Sequence, residues 1–498
     1  MEQPIAEVIA EAFEESRRCN PRRCKKWAAL VDGHEPQMSP LPCAAGAYHP
    51  QLVIILDLIQ VPEYGRNGSK PFGFVMTELN MHFGIVCPQV LSHLTPMSTI
   101  GRALQRRGHK VTFFGISDVR SHAEKASLDF EVVGIDEFPD GVLNRYLEQL
   151  RNADFQTLVA VIKWAKKMSK VCCRDIINAI ARLQVDALLV DQVQFEGSTI
   201  SEITGIPFIT ICNAVDLEGD SAGDMPPPFL PWSYADGNPL KRMRNRLGYK
   251  AFDLMTIPTV KTIDEFRRSR GLPTGLRWDR SISTIAVVSN MTPSFNYNRR
   301  ESNRPFYYTG PFLDQHRPQV SFPYDRLNGK PIVYASMGTI VTGKEQIYRQ
   351  IAEACVDLPL QLVISMGSWH FQGCVPQFPG DPVVVPFTPQ LDILQQATLV
   401  ITHAGANTVM ESLAQACPLI AIPIATDQPA IANRLTWAGA GTCIPLKEIS
   451  PSRIRSTIEE MLNNQGYRER ARTIQSEIQE CGGVERAADI IERSLDKN

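Results

Sequence analysis

Short, nearly continuous apolar runs alternate with amphipathic helical stretches along most of this chain, and they do so in two series. The first series opens at HFGIVCPQ (82–89) and continues through KVTFFGI (110–116), VDALLVDQ (185–192) and PFITICN (207–213). A strand with one solvated face alternates apolar and polar residues. A strand covered on both faces is apolar throughout, and a short run bounded by Gly, Pro or Asn is its mark. Between these runs the pattern predicts helices over PMSTIGRALQRRG (96–108), closed by Gly108, over 198–204, and over about 240–270, with TIAVVSN (284–290) as the last strand of the series.

The chain then changes character. NYNRRESNRPFYYTGPFLDQHRPQVSFPYDRLNGKP (296–331) is rich in Pro, Asn and Arg and reads as a connection between domains. A second series follows: PIVYASMGT (331–339), QLVISMG (361–367), PVVVPF (382–387), TLVITHAG (398–405), PLIAIPI (418–424) and GTCIP (441–445). Amphipathic helices at 451–463 and about 467–495 complete it. Strands that alternate with helices form parallel sheets covered on both faces, and such sheets bind ligands beyond the carboxyl ends of their strands. The expected organisation is an extension of unreadable role at 1–76, a first α/β domain at 77–310, a linker at 311–330, a second α/β domain at 331–475 and a terminal helix at 476–498.

Composition narrows the partners. The formal net charge is −2 and there is no dense basic tract beyond the first 30 residues, so nucleic acid is not expected as a partner. The longest apolar run, LVIILDLIQV (52–61), contains Asp57 and falls short of the ~20 residues of a membrane helix. The amino terminus lacks a cationic start followed by an apolar core, which leaves a cytoplasmic location as the expectation. The 12 cysteines form no C-x-x-C pair and read as thiols in a reducing compartment, so no metal centre is expected. No G-x-G-x-x-G follows a strand, which argues against a dehydrogenase. GTIVTGKE (338–345) comes near a phosphate-binding loop, but Glu345 replaces the hydroxyl residue that holds Mg²⁺, so nucleotide hydrolysis is excluded.

Candidate chemistry sits where apolar strands end. His93, in QVLSHLTPM, follows the first strand and precedes the predicted helix, which places an imidazole able to act as a general base at a carboxyl strand end. Asp191 closes ALLVD in the same half. It would either cap the next helix or orient His93 and stabilise its imidazolium. In the second half Ser336 and Thr339 end a strand with hydroxyls suited to a phosphate. ITHAGANTVMES (401–412) turns from strand to helix. Gly405 permits a tight turn or a close approach, Asn407 and Thr408 start the helix, and its free amides and dipole make an anion site beside His403. Glu411 lies one turn on, on the side of Asn407, where it would meet ribose hydroxyls or else be a surface acid. Phe387 could stack on a base and Gln390 bind its edge, while Asp427 and Gln428 end the next strand within reach of sugar hydroxyls.

The ordered set FTPQ, THAGANTxxES and PxxxxxDQ resembles the donor-binding box of family 1 UDP-sugar glycosyltransferases, with resemblance running over about 82–495. The resemblance implies two Rossmann-like domains facing across a cleft, the GT-B fold. It implies no cofactor beyond the UDP-sugar co-substrate, and an inverting, metal-independent transfer of a hexose, most simply glucose. It assigns Phe387 and Gln390 to uracil, and Ser336, Thr339, His403, Asn407 and Thr408 to the diphosphate. Glu411 falls to the ribose, Asp427 and Gln428 to the sugar, and His93 with Asp191 to the catalytic base and its partner. Phe387 and Ala406 stand where plant members carry Trp, which points towards bacterial-type members. VDQVQFEGSTISEITGIPFITICNA and PPPFLPWSY resemble segments of bacterial zeaxanthin glucosyltransferases. This implies an apolar hydroxylated acceptor such as a carotenoid, with a sterol, flavonoid or polyketide as alternatives. Work at a membrane periphery would be one way to reach a lipophilic acceptor. A UDP-sugar epimerase or hydrolase of the same fold is the rival enzyme, and a binding protein on a degenerate scaffold the rival without catalysis.

Overall fold

The computed structural model describes residues 80–150, 155–297, 304–313, 320–338, 345–367 and 376–496. The extension at 1–76, most of GTIVTGKE and Thr339 lie outside the described residues. From Met81 to Ser494 the chain forms one compact unit.

The first half contains strands β1 (His82–Val86), β2 (Lys110–Gly115), β3 (Asp129–Val132), β4 (Ala187–Asp191), β5 (Phe208–Cys212), β6 (Val287–Ser289) and β7 (Phe306–Tyr308). Its helices are α1 (Leu91–Arg106), α2 (Arg120–Lys125), α3 (Val142–Gln149), α4 (Phe155–Leu183), α5 (Gly197–Thr204) and α6 (Pro239–Ser269). The second half has β8 (Ile332–Ser336), β9 (Gln361–Ser365), β10 (Val383–Val385), β11 (Ala397–Thr402), β12 (Leu419–Ala421) and β13 (Gly441–Cys443). Between and after them run α7 (Glu345–Cys355), α8 (Gln390–Gln396), α9 (Ala406–Ala414), α10 (Gln428–Ala438), α11 (Pro451–Asn463), α12 (Gln465–Cys481) and α13 (Gly483–Asp496).

Among the described residues all strand pairs are parallel. The sheet orders are β3-β2-β1-β4-β5-β6-β7 and β10-β9-β8-β11-β12-β13. Every residue of β1, β4, β5, β8 and β9 is buried, as continuous apolar runs require when helices cover both faces. Each sheet reverses its winding once, between β1 and β4 in the first and between β8 and β11 in the second. A crevice opens beyond the carboxyl ends of the strands at such a reversal.

Several elements differ from the sequence expectation. α1 starts five residues before the predicted helix, at Leu91, so His93 lies in its first turn rather than ahead of it, and Pro96 lies inside the helix. Pro96 is the sixth residue of this helix, beyond the first turn where a proline leaves no bond unmade, so its missing N–H deprives one carbonyl of its intrahelical donor. TIAVVSN is not the last strand of the first half. Phe306–Tyr308 adds β7 beside β6, three aromatic residues hidden in a Pro- and Arg-rich stretch. The predicted helix over about 467–495 is two, broken where Gly482 and Gly483 adopt φ of 81° and 61°. The second of them, α13, returns to the first half. Glu485, Asp489 and Glu492 line one face and bind Arg106, Arg107 and His109 at 2.6–3.0 Å.

Candidate active site

His93 and Asp191 meet at the winding reversal of the first sheet. Parallel register sets Val86 of β1 beside Val190 of β4, so Asp191 ends its strand next to the loop that leads into α1. Asp191 is buried (1% exposed), and its Oδ2 accepts hydrogen bonds from His93 Nδ1 at 2.7 Å and Asn213 Nδ2 at 2.8 Å. Its Oδ1 accepts from the Val193 amide at 3.1 Å. The helix-cap alternative fails, because α5 begins only at Gly197. A carboxylate can only accept, so Nδ1 carries the proton and the neutral ring keeps its lone pair on Nε2. The His93 side chain is 20% exposed and therefore reachable.

Burial pushes the His93 imidazole down, but the Asp191 charge, the hydrogen bond to it and the more distant Asp427 charge outweigh that. The net pKa stands above the ordinary 6.5. Asp427 belongs to the second half, so the two halves share this electrostatic field. Its own carboxyl is raised, chiefly by burial, with Thr426, its own backbone, His93 and Arg434 pulling the other way.

Asn213 was missed in the sequence. It is the residue after β5, one strand beyond Asp191, and carboxyl-end position was the available signal.

At the reversal of the second sheet, Ser336 of β8 pairs in register with Thr402 of β11 and is buried. His403 follows Thr402. The turn conformation falls on Ala404, fully buried at φ 66°, not on Gly405, whose φ is −66°. Gly405 is needed for close approach, and what approaches is His403. A Cβ on Gly405 would lie 2.7 Å from His403 Nε2, and one on Gly338 (φ 75°) would lie equally close. The imidazole is thus held in a slot between two glycines. Among the described residues no side chain caps α9, so its first-turn amides and dipole present an anion site beside that ring. Thr408 is half-buried in the same first turn, its carbonyl accepting from Ser412 Oγ at 2.7 Å.

Asn407 makes an unexpected contact. Its Nδ2 donates to the Ser92 carbonyl in α1 at 3.0 Å. In an uninterrupted helix that carbonyl would accept from residue 96, but Pro96 has no N–H. A residue of one half therefore takes the donor place left open by a proline in the other, one residue from His93.

Glu411 is 3% exposed, which removes the surface-acid reading. Its Oε2 accepts from Gln390 Nε2 at 2.6 Å, Gln390 Oε1 accepts from the Tyr334 hydroxyl at 3.1 Å, and Tyr334 is joined to Thr388 at 2.9 Å. Gln390 and Glu411, expected at separate parts of a nucleotide, form one connected pair. Tyr334 and Thr388 were missed, since a tyrosine inside an apolar strand reads as core. Phe387, one residue before Thr388, keeps 38% of its surface exposed. Gln428 is buried with its Oε1 accepting from the Ile424 and Ala425 amides at 2.8 and 2.9 Å, so it closes its own loop. Asp427 precedes it, just before α10 and next to Thr426 at φ 57°.

Segment 226–234 is buried at Pro226, Pro227 and Pro228, with Pro226 and Pro227 against α6, and reaches the surface at Pro231 and Ser233. At its end Tyr234 stacks on Tyr297 (centroids 4.9 Å), which meets Trp437 of the second half edge-on at 5.1 Å. Arg434 lies over Tyr297 at 4.5 Å and bonds Asn296 at 3.1 Å. Among the described residues no helix is long and apolar enough to cross a membrane. Among them, too, no three His, Cys, Asp or Glu side chains cluster as metal ligands.

A family-wide sequence profile described as UDP-glucoronosyl and UDP-glucosyl transferase matches residues 324–480. The zeaxanthin glucosyltransferase of Pseudescherichia vulneris is 30% identical over 422 residues, 83% of this chain and 98% of that one. That of Pantoea ananas is 29% identical over 417 residues, covering 83% and 96%. The fold matches the glycotransferase of kitacinnamycin at TM-score 0.66 and 21% identity, over 84% of this chain and 99% of that chain. It also matches the glycosyltransferase VinC in complex with DTDP at TM-score 0.62 and 16% identity, over 84% and 100%.

Proposed function

The chain belongs to the UDP-glucoronosyl and UDP-glucosyl transferase family, and from that premise we propose that it is an inverting glucosyltransferase that carries glucose from UDP-glucose to a hydroxyl of an apolar acceptor, a hydroxylated carotenoid. The observation that carries this reading is the 2.7 Å His93–Asp191 pair at one winding reversal, with the His403 corner and uncapped α9 at the other. Two zeaxanthin glucosyltransferases among its relatives support the carotenoid as acceptor.

In this reading the acceptor oxygen attacks the anomeric carbon from the side opposite the diphosphate. Its proton passes to His93 Nε2, and Asp191 stabilises the imidazolium. The bond from the anomeric carbon to the phosphate oxygen breaks with its electron pair going to UDP, and the sugar leaves with inverted configuration. The amino terminus of α9 and His403 take up the charge that develops on UDP, with Ser336, Thr339, Asn407 and Thr408 around the diphosphate. These donors do what a metal ion does in other nucleotide-sugar enzymes. Phe387 stacks on uracil. The Gln390–Glu411 pair then spans base edge and ribose together, and Asp427 with the amide nitrogen of Gln428 faces the sugar.

The test pairs UDP-glucose with zeaxanthin, sterols and flavonoids and follows mass. A hexose gain on zeaxanthin supports the full reading, and gains on flavonoids alone remove the carotenoid. Conversion of UDP-glucose with no acceptor present would replace transfer by epimerisation or hydrolysis.

A further inference from the structure

Helix α6 wears part of its apolar surface on the outside. Leu240, Met243, Leu247 and Leu254 are 73, 56, 58 and 67% exposed, and Met255 and Ile257 continue the apolar surface. Spacings of three, four and seven set the first four on one helical face, a ridge of roughly 21 Å at 1.5 Å per residue. The buried positions of the same turns are Asn245, Gly248 and Phe252. A helix covering a sheet normally directs its apolar stripe inward, so here the arrangement is partly reversed. Contiguous exposed apolar surface of this kind marks an interaction site.

Charge identifies the occupant. Between Pro239 and Phe252 the helix has Lys241, Arg242, Arg244, Arg246 and Lys250 and no acid. Among the described residues only Arg242 of these is in an ion pair, with Asp224. Lys250 and Arg246 are exposed beside the leucine ridge. A second copy packing on this face by a two-fold axis would bring Arg246 and Lys250 of each helix close to those of the other. A bilayer surface with anionic headgroups accepts both the leucines and the cations.

We propose that the outer face of α6 is a membrane-docking face that lays Leu240, Met243, Leu247 and Leu254 into the headgroup boundary of an anionic phospholipid bilayer. The face is rigidly coupled to the region around the site. Asn245 Nδ2 donates to the Gly223 and Asp224 carbonyls at 3.0 Å each, Tyr249 donates to Pro226 O at 3.3 Å, and Gly248 sits against Pro227 and Trp232. That segment leads to Tyr234 and its stack on Tyr297. Docking through α6 would thus present the acceptor side of the molecule to the bilayer, which rests on the apolar-acceptor reading only for its purpose and not for the binding itself.

The experiment is co-sedimentation of the full chain with vesicles of phosphatidylglycerol or of phosphatidylcholine, at low and high salt. Expected are binding to phosphatidylglycerol, weakening with salt, and a loss of about 100-fold or more in Leu240→Gln/Leu247→Gln/Leu254→Gln, since each substitution withdraws a leucine side chain from the interface. Arg246→Gln/Lys250→Gln should lose about 25-fold, near fivefold for each cation. Transfer to a detergent-solubilised acceptor should be unchanged in the leucine variant. No binding by the wild type, or equal binding by the leucine variant, overturns the proposal. So does a dimer in sedimentation velocity that the leucine variant abolishes. Vesicle binding without any transfer to apolar hydroxyls would sink the proposed acceptor and leave the docking face intact.

Discussion

Replacing Asp191 by Asn changes one atom at the centre of the site, and the hydrogen bonds around it fix what must follow. In the wild type Oδ2 receives two donors, His93 Nδ1 and Asn213 Nδ2, and Oδ1 receives the Val193 amide. An asparagine has a single acceptor oxygen. Set at the Oδ2 position, that oxygen keeps two bonds and turns its NH₂ against one N–H; set at Oδ1, it turns NH₂ against two donors. The first arrangement should prevail, so His93 keeps its tautomer. Stability should fall by about 1–3 kcal/mol for the mispaired Val193 amide, towards the lower end because Val193 is only partly buried. The bond from His93 ceases to be charge-assisted, worth about 1.5–3 kcal/mol against about 0.5–1.5 for a neutral one. Stabilisation of the imidazolium therefore drops by about 1–2 kcal/mol, a rate loss of roughly 5- to 30-fold. The Asp191 charge that raises His93 vanishes and the hydrogen bond weakens while burial remains, so its pKa falls. A general base works when neutral, so the acidic limb of the rate profile should move to lower pH in Asp191→Asn. Initial rates of UDP formation between about pH 5 and pH 9 read both effects. A turnover within threefold of wild type with an unmoved acidic limb would refute this account of the dyad.

The His93–Asp191 pair should also leave a mark on stability: with the folded imidazole raised above its unfolded value, its contribution is full below the unfolded pKa and fades as pH rises through the folded one. Thermal melts of wild type and His93→Gln should thus differ most at acid pH, and a gap that widened with rising pH would contradict the sign. Gly405→Ala forces a Cβ to 2.7 Å from a His403 ring already confined by Gly338, an overpacking of about 1–3 kcal/mol. The melting temperature should fall and recover in Gly405→Ala/His403→Ala; additive losses would show that the ring is not what the glycine makes room for. Asn407→Ala should cost about 0.5–1.5 kcal/mol. In a Pro96→Ala background it should cost less, because residue 96 then offers Ser92 its own N–H. Equal costs in both backgrounds would dismiss the substitution of one donor by the other. Chelation of divalent metal should leave the transfer rate unchanged, and a rate restored only by added Mg²⁺ or Mn²⁺ would return the leaving-group role to a cation.

Much of the candidate site in the second half could be picked out because its residues are nearly contiguous. FTPQ, THAGANT and TDQ each sit at a strand end within one short span, so backbone order alone gathers Phe387, Gln390, His403, Glu411 and Asp427. His93 and Asp191 lie 98 positions apart, yet both could be picked out because each follows an apolar strand. Asn213 satisfied the same condition and was passed over, since an Asn after a strand also ends turns. Tyr334 was hidden by its own neighbours, an apolar strand in which only its hydroxyl shows a second purpose. β7 was masked by the Pro and Arg around three aromatic residues, and the break in the last helix needed the left-handed backbone at Gly482 and Gly483.

Two parallel sheets, their order along the chain and the chemical character of each strand end follow from periodicity and punctuation, which are local properties of the chain. Which residues touch across the halves does not, because such contacts depend on packing between segments hundreds of positions apart. Asn407 bonding the carbonyl that Pro96 leaves open spans 315 positions. The same limit applies to the side on which an apolar stripe lies. Leu240, Met243, Leu247 and Leu254 form a stripe in the sequence whether they face a sheet or the solvent. Only the packing of Asn245, Gly248 and Phe252 against the body of the protein turned that stripe outward.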